Sequence, residues 1–235
     1  MRVALVQVRI ESPGRSANLA RVMNRLVQVV QTVPAPDLVV LPAGCDGSGR
    51  DNVTPAMIQG FGESLAAVAR EWGVYVAGAF LEDDGGTRFE QARLYDPDGD
   101  VIGRSQGRGD TGSVDVCKTP LGRIALRVDI MDRPAEAPAA KCDLVLVHGR
   151  WAAGDRQAQA ACGQVRERMA DLARRSASAV CAVGPVGAAP GSPSQVLIGA
   201  GAVHAADGAC LLSLASQVDA IEAVDLDLAA ASPSG

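Results

Sequence analysis

The order of apolar segments is the feature that most constrains the fold of this chain. Residues 2–8 form a mostly apolar run, as expected for a strand covered on both faces. Apolar residues then recur at spacings of three and four over 19–30, which predicts an amphipathic helix that ends at Pro34 and Pro36. The same alternation continues with a strand, a helix and a strand, predicted at 37–42, 54–72 and 74–80.

Beyond this point the apolar segments become shorter and are separated by turn sequences such as Asp96-Pro97-Asp98-Gly99. One further helix is predicted at 158–176. Strands are predicted at 91–95, 100–103, 114–118, 123–130, 143–148, 178–183, 195–205, 209–214 and 219–226. This mixture favours two sheets packed face to face with helices outside, rather than one doubly wound sheet. We predict one domain over 1–228 and a frayed tail over 229–235.

The composition excludes several classes of partner. The net charge is −5 and aromatic residues make up 3% of the chain, so neither a nucleic acid nor an anionic membrane surface is an expected partner. No apolar run is long enough to span a membrane and no leader-like segment opens the chain, so we expect a cytoplasmic location. The six cysteines form no Cys-x-x-Cys pair and there are only two histidines, so we expect no disulfide framework, no metal site and no cofactor.

A set of motifs follows in a specific order along the chain. The apolar strand that ends at Pro42 comes first, and the later motifs lie at 94–103, 119–126, 142–147 with Trp151, Asp207-Gly208 and 221–226. Each motif alone is common, but their order and spacing resemble the nitrilase superfamily (carbon–nitrogen hydrolases) over nearly the whole chain. The resemblance implies a four-layer αββα sandwich, commonly paired sheet to sheet in a dimer.

The chemistry of that superfamily needs a Cys thiolate to attack an amide or nitrile carbon, a Glu to accept its proton and a Lys to stabilise the oxyanion. The resemblance places Ala43 at the position of the Glu and Gly107 at that of the Lys. It places Asp129 at the position of the Cys, or Val128 if the register shifts by one. All three groups are therefore replaced. Because such groups act as a unit, we predict a catalytically degenerate triad.

Other residues near these positions are candidates for ligand binding. Cys45, two residues beyond Ala43, is a candidate displaced nucleophile, although no neighbouring His or Lys would lower its pKa and an ordinary loop thiol is favoured. Arg108 is one step out of phase with the Lys position, and could hold an anion or simply be solvated. His148 ends a strand close to Trp151 and is a candidate rim residue of a pocket.

Asp129 is the most unusual candidate, because it ends an apolar strand where the resemblance expects the nucleophile to point into the pocket. Arg127 shares its face, since side chains alternate along a strand with a period of two. An aspartate can act as a nucleophile or bind a ligand. A structural Arg127–Asp129 ion pair is the preferred hypothesis.

These observations favour a non-catalytic protein that binds a small molecule or assembles into oligomers. The alternative is an active amidohydrolase with relocated catalytic residues, and a third hypothesis is a structural partner of an active paralogue. The resemblance implies a homodimer or larger homo-oligomer. The helix at 158–176 carries an apolar stripe that could form the interface or face the core, at Val165, Met169 and Leu172.

Overall fold

The computed structural model describes residues 1–11, 15–45, 54–84, 87–106, 116–130, 141–192 and 194–228. Its helices are α1 (Arg15–Thr32), α2 (Pro55–Trp72) and α3 (Ala158–Ser176), with a short 3-10 helix at Asp155–Gln157. The first eight strands are β1 (Arg2–Gln7), β2 (Arg9–Ile10), β3 (Leu38–Ala43), β4 (Tyr75–Asp84), β5 (Thr87–Tyr95), β6 (Val101–Gln106), β7 (Val116–Thr119) and β8 (Gly122–Ile130). The others are β9 (Leu144–Arg150), β10 (Ala152–Gly154), β11 (Ala179–Val183), β12 (Val186–Ala188), β13 (Gln195–Ile198), β14 (Ala202–His204), β15 (Cys210–Ser213) and β16 (Ala220–Asp225).

The strands form two large sheets. Sheet I has the order β16-β1-β3-β4-β5-β6 and sheet II the order β15-β14-β11-β9-β8-β7. In sheet I, β1, β3 and β4 are parallel, and in sheet II, β8, β9 and β11 are parallel. A third sheet, β10-β13-β12-β2, was not predicted, because its strands have only two to four residues and carry little periodic signal.

The two large sheets pack face to face, with helices on both outer sides. On β1, Val3 and Leu5 belong to the apolar cluster between the sheets, whereas Ala4 and Val6 belong to the cluster under α1 and α2. Helix α3 packs on the outer face of sheet II, where its stripe of Val165, Met169 and Leu172 is buried. The predicted αββα sandwich is therefore confirmed, and the α3 stripe is a core face rather than a free surface.

The strand predicted over 195–205 is interrupted in the structure. Gly199 and Ala200 have positive φ angles of 77° and 60°, so the chain turns between β13 and β14. The buried Gln7 side chain occupies the interruption, donating to the carbonyl oxygens of Ala215 and Val218 and accepting a hydrogen bond from the Gly201 N–H. The interruption thus satisfies a buried amide from sheet I, a long-range contact that no local pattern reveals.

The cysteines were predicted to be buried thiols, and this holds for five of them. All six are reduced, and only Cys210 is exposed. The tail over 229–235 and the triad position Gly107 lie outside the described residues, as does Arg108.

Candidate functional site

The candidate site lies between the two sheets, at the carboxyl ends of β3 and β9. These ends are joined directly, because the His148 imidazole of β9 makes a hydrogen bond of 2.6 Å to the Leu41 carbonyl oxygen of β3. Ala43 ends β3 at the same place, where it is fully buried in the apolar cluster between the sheets. The Ala43 side chain, which the resemblance predicted at the position of the general base, is thus a methyl group in an apolar layer and cannot accept a proton.

An ion pair closes this end of the site. Arg150 at the end of β9 donates a hydrogen bond of 2.5 Å to Glu90 of β5, and the two side chains are 27% and 13% exposed. Gly44 lies beside them, since a Cβ atom there would be 3.5 Å from the Glu90 carboxylate and 3.6 Å from the Arg150 Cδ atom. Glu90 keeps a carboxylate near the site, but Arg150 holds it.

Sequence reasoning did not identify Glu90 or connect Arg150 to it. A signal was available in the strand alternation. Glu90 lies two residues before Ala92 on the face of β5 that packs between the sheets, and Arg150 lies two residues after His148. A charged residue in register with an apolar face points into the core or to its edge, where it needs a partner.

His148 was expected at the rim of a pocket, and this expectation is wrong. The side chain is completely buried, and burial lowers its pKa to about 4, so the imidazole is neutral at pH 7. Because a carbonyl oxygen only accepts, Nδ1 must carry the hydrogen that is donated to Leu41. Within the part of the chain that the structure describes, Nε2 has no hydrogen-bond partner.

Asp129 faces the opposite side of sheet II from the candidate site. Side chains alternate between the two faces of β8, and Asp129 lies on the same face as Ala125, which packs toward α3. Val128 lies on the other face and packs with the cluster between the sheets. The Asp129 carboxylate is fully buried and accepts a hydrogen bond of 3.0 Å from the indole N–H of Trp151. The Arg168 guanidinium on α3 also reaches it, at 3.4 Å, a contact that the sequence did not predict.

The position of Trp151 depends on two glycines. A Cβ atom at Gly149 would lie 2.3 Å from the indole ring, and one at Gly184 would lie 2.7 Å from it. The ring is completely buried in the cluster between sheet II and α3. Asp129 therefore belongs to a packed layer that joins β8, β9 and α3, and its side chain does not line the space beside Ala43.

The remaining candidates are not brought to the site together. Cys45 is fully buried on the other side of sheet I, in the cluster with α1 and α2. Its thiol therefore does not face the apolar layer between the sheets, where Ala43 lies. Arg127 shares the face of Asp129, as predicted from the alternation, and is half-buried. Among the described residues no group of three His, Cys, Asp or Glu side chains is placed to hold a metal ion. In the same part of the chain no helix is both long and apolar enough to cross a membrane.

Comparison with solved structures identifies the fold. A carbon–nitrogen hydrolase from Helicobacter pylori G27 superposes with a TM-score of 0.79 at 17% identity, over 98% of this chain and 90% of that one. The NitN amidase from Nesterenkonia sp. AN1 gives 0.80 at 20% identity, over 97% and 93%. XC1258 from Xanthomonas campestris, a CN-hydrolase superfamily protein with an arsenic adduct in its active site, gives 0.75 at 18% identity, over 98% and 92%.

The class that these superpositions define is the carbon–nitrogen hydrolase (nitrilase) fold, as the motif order predicted. The identities are low, and no family model and no curated protein matches the chain by sequence. The particular neighbours include amidase structures in which an acetamide moiety is covalently attached to the active-site cysteine. This chain thus shares its fold, over nearly its whole length, with proteins that react through an active-site cysteine.

Proposed function

We propose that the protein is a non-catalytic member of the carbon–nitrogen hydrolase superfamily, with a role in small-molecule binding or oligomer assembly. The observation that carries the proposal is the state of the site beside Ala43. Cysteine-based hydrolysis needs a thiol and a proton acceptor within hydrogen-bond reach of one another. Here Ala43 and Val128 contribute only apolar atoms to the layer between the sheets.

Two polar side chains at this site, Glu90 and His148, each make an interaction with a neighbouring residue. Glu90 is held by Arg150, and the N–H of the His148 imidazole is held by the Leu41 carbonyl oxygen. Asp129, which the resemblance placed at the nucleophile position, faces away from this site and accepts a hydrogen bond from Trp151 on the far side of sheet II. Use of Glu90 as a proton acceptor would first require its ion pair with Arg150 to be broken.

An active amidohydrolase with relocated catalytic groups is the second candidate. One observation favours it: Glu90 and His148 are both groups that can accept a proton, and both lie at the end of the site where the base is missing. It would also need a nucleophile to face them. Cys45 would have to leave its buried position on the other side of sheet I.

We expect no hydrolysis above the buffer rate when the purified protein is incubated with a panel of amides, carbamoyl compounds and nitriles. Ammonia release is the measurement, and a nitrilase-fold amidase assayed in parallel is the positive control. Cys45→Ala and Glu90→Gln are the variants that separate the two candidate functions. Turnover that is lost in either variant would establish the relocated-residue hydrolase and refute the non-catalytic protein.

We expect the protein to be a homodimer or a larger homo-oligomer. The α3 stripe is buried within one chain, so an interface must use another surface. Leu211 lies on β15, the edge strand of sheet II, and is 46% exposed, and an edge strand offers backbone groups that a second copy can pair with. Light scattering at micromolar concentration should give at least twice the mass of one chain, and Leu211→Glu should lower it.

A matched control tests whether this edge is the interface. Val27 on α1 is 45% exposed, nearly the same as Leu211, but lies on the helical surface instead of a sheet edge. Val27→Glu should therefore leave the mass unchanged. A wild-type mass of a single chain would contradict the assembly role, and an equal effect of both variants would contradict the edge-strand interface.

A further inference from the structure

A cavity lies on the outer face of sheet I, away from the site beside Ala43. Its volume is about 400 Å³. On β5, Ala92 and Leu94 face the other sheet, so Arg93 and Tyr95 face the opposite way, toward α2. Sheet I therefore separates this cavity from the candidate site. Its polar lining comes from α2, β4 and β5 and includes Gln59, Glu63, Glu82, Asp83, Arg93 and Tyr95.

A glycine inside a helix keeps the cavity open. Gly62 lies in the interior of α2, where glycine is unfavourable for helix formation. A Cβ atom at this position would lie 3.1 Å from the Tyr95 hydroxyl and 3.3 Å from the Arg93 guanidinium. Gly60, one half-turn away, has no such neighbours within 4 Å. The residue at 62 therefore controls the space above Tyr95, and the residue at 60 does not.

The Arg93 and Gln59 side chains that line the cavity already donate to neighbouring groups. Arg93 forms an ion pair with Glu82, donates from Nε to Gln91 at 3.0 Å, and lies 5.1 Å above the Phe80 ring. Gln59 donates to Glu63 at 2.7 Å. Three carboxylates and the Arg93 guanidinium line the cavity in the described part of the chain, and the Arg104 guanidinium of β6 also acts on Glu82 and Tyr95. The lining is thus rich in acceptors and poor in available donors.

The Tyr95 hydroxyl provides an independent indication of a ligand. The residue is 1% exposed, and the Arg93 guanidinium beside its hydroxyl makes no hydrogen bond of standard geometry to it in the described part of the chain. A buried hydroxyl without a partner is unfavourable, so such groups are usually satisfied by water or a ligand. Burial raises the pKa of Tyr95, so the hydroxyl stays neutral and its oxygen remains an acceptor at neutral pH.

We propose that this cavity binds a small organic cation that carries a primary ammonium or guanidinium group. Such a group supplies hydrogen-bond donors, and the Tyr95 hydroxyl oxygen and the carboxylates of Glu63 and Glu82, which line the same cavity, are acceptors for them. Charge-assisted hydrogen bonds of this kind are the stronger ones in proteins. The volume suits a molecule of a few carbon atoms, which is smaller than a typical drug-sized ligand.

Isothermal titration calorimetry with two cationic probes, putrescine and agmatine, tests the proposal. Butane-1,4-diol and succinate are the matched neutral and anionic controls, since they have the same chain length as putrescine. At least one cation should bind with a stoichiometry of one per chain, and both controls should bind at least about tenfold more weakly. The absence of saturable binding by either cation, or preferential binding of succinate, would overturn the proposal.

Three variants assign the binding to this cavity. Tyr95→Phe removes only the hydroxyl and should weaken cation binding by about tenfold. Gly62→Ala should weaken it comparably by narrowing the space above Tyr95. Gly60→Ala is the control, because it makes the same change in the same helix without lining the cavity, and it should bind as the wild type does. Thermal melts check folding, and wild-type affinity in a folded Tyr95→Phe would show that the cation binds elsewhere.

Discussion

Acidification from about pH 7.5 to about pH 4.5 is expected to lower the free energy of unfolding by about 2 to 3 kcal/mol through His148 alone. Burial lowers its pKa from 6.5 to about 4 in the folded protein. Between these two values the unfolded chain binds a proton that the folded protein does not, so stability falls as the pH falls. The contribution is complete above the unfolded pKa and is lost as the pH approaches the folded one.

Urea denaturation across this pH range measures the effect, and His148→Gln removes the titrating group. The variant keeps an N–H donor for Leu41, so it should fold and should lack most of the acid-induced loss. Because carboxylates such as Glu82 also titrate differently in the folded protein, the comparison uses the difference between wild type and variant. Identical pH dependence of the two proteins would show that His148 is not buried as a neutral imidazole.

The second histidine provides a control for this experiment. His204 also has a pKa lowered by burial, although it is less deeply enclosed. His204→Gln should therefore retain most of the wild-type pH dependence, and the double variant should retain the least. If His204→Gln removed more of the dependence than His148→Gln, the assignment of the effect would be reversed.

Asp129→Ala is expected to destabilise the protein by about 3 kcal/mol or more. The substitution leaves the buried indole N–H of Trp151 without its acceptor and removes the ion-pair partner of Arg168. Asp129→Asn should cost less, because an amide oxygen can still accept the indole hydrogen. Denaturant melts at neutral pH measure both changes. A cost below about 1 kcal/mol for the Ala variant would indicate a solvated carboxylate.

Double-mutant cycles identify which groups Asp129 depends on. We expect a coupling energy of about 1 kcal/mol or more between Asp129→Ala and Trp151→Phe, which removes the indole N–H. Arg168→Met and Arg127→Met form a matched pair of charge removals from the two candidate cations. Coupling to Arg168 is expected to exceed coupling to Arg127. The reverse order would restore the ion pair predicted from the sequence.

Part of the candidate site was predictable from the sequence because it depends on local order. The apolar run at 37–42 specified a buried strand that leads to the position of the base, so the loss of the base at Ala43 could be inferred. Strand alternation also predicted that Arg127 and Asp129 share a face. Both faces of β8 are covered by other layers, so alternation alone could not decide which face lies beside Ala43.

The sequence by itself therefore determined the αββα layers, because helix and strand periodicities specify which elements form and how many faces each must bury. It also determined that Ala43 and Gly107, which the resemblance places at two catalytic positions, carry no group that can accept a proton. Only the tertiary structure determined which residues interact. Glu90 forms an ion pair with Arg150, and the His148 imidazole is hydrogen-bonded to the Leu41 carbonyl oxygen. Asp129 accepts a hydrogen bond from Trp151 and forms an ion pair with Arg168. These contacts join residues 22 to 107 positions apart, and each depends on how layers pack, which no local periodicity encodes.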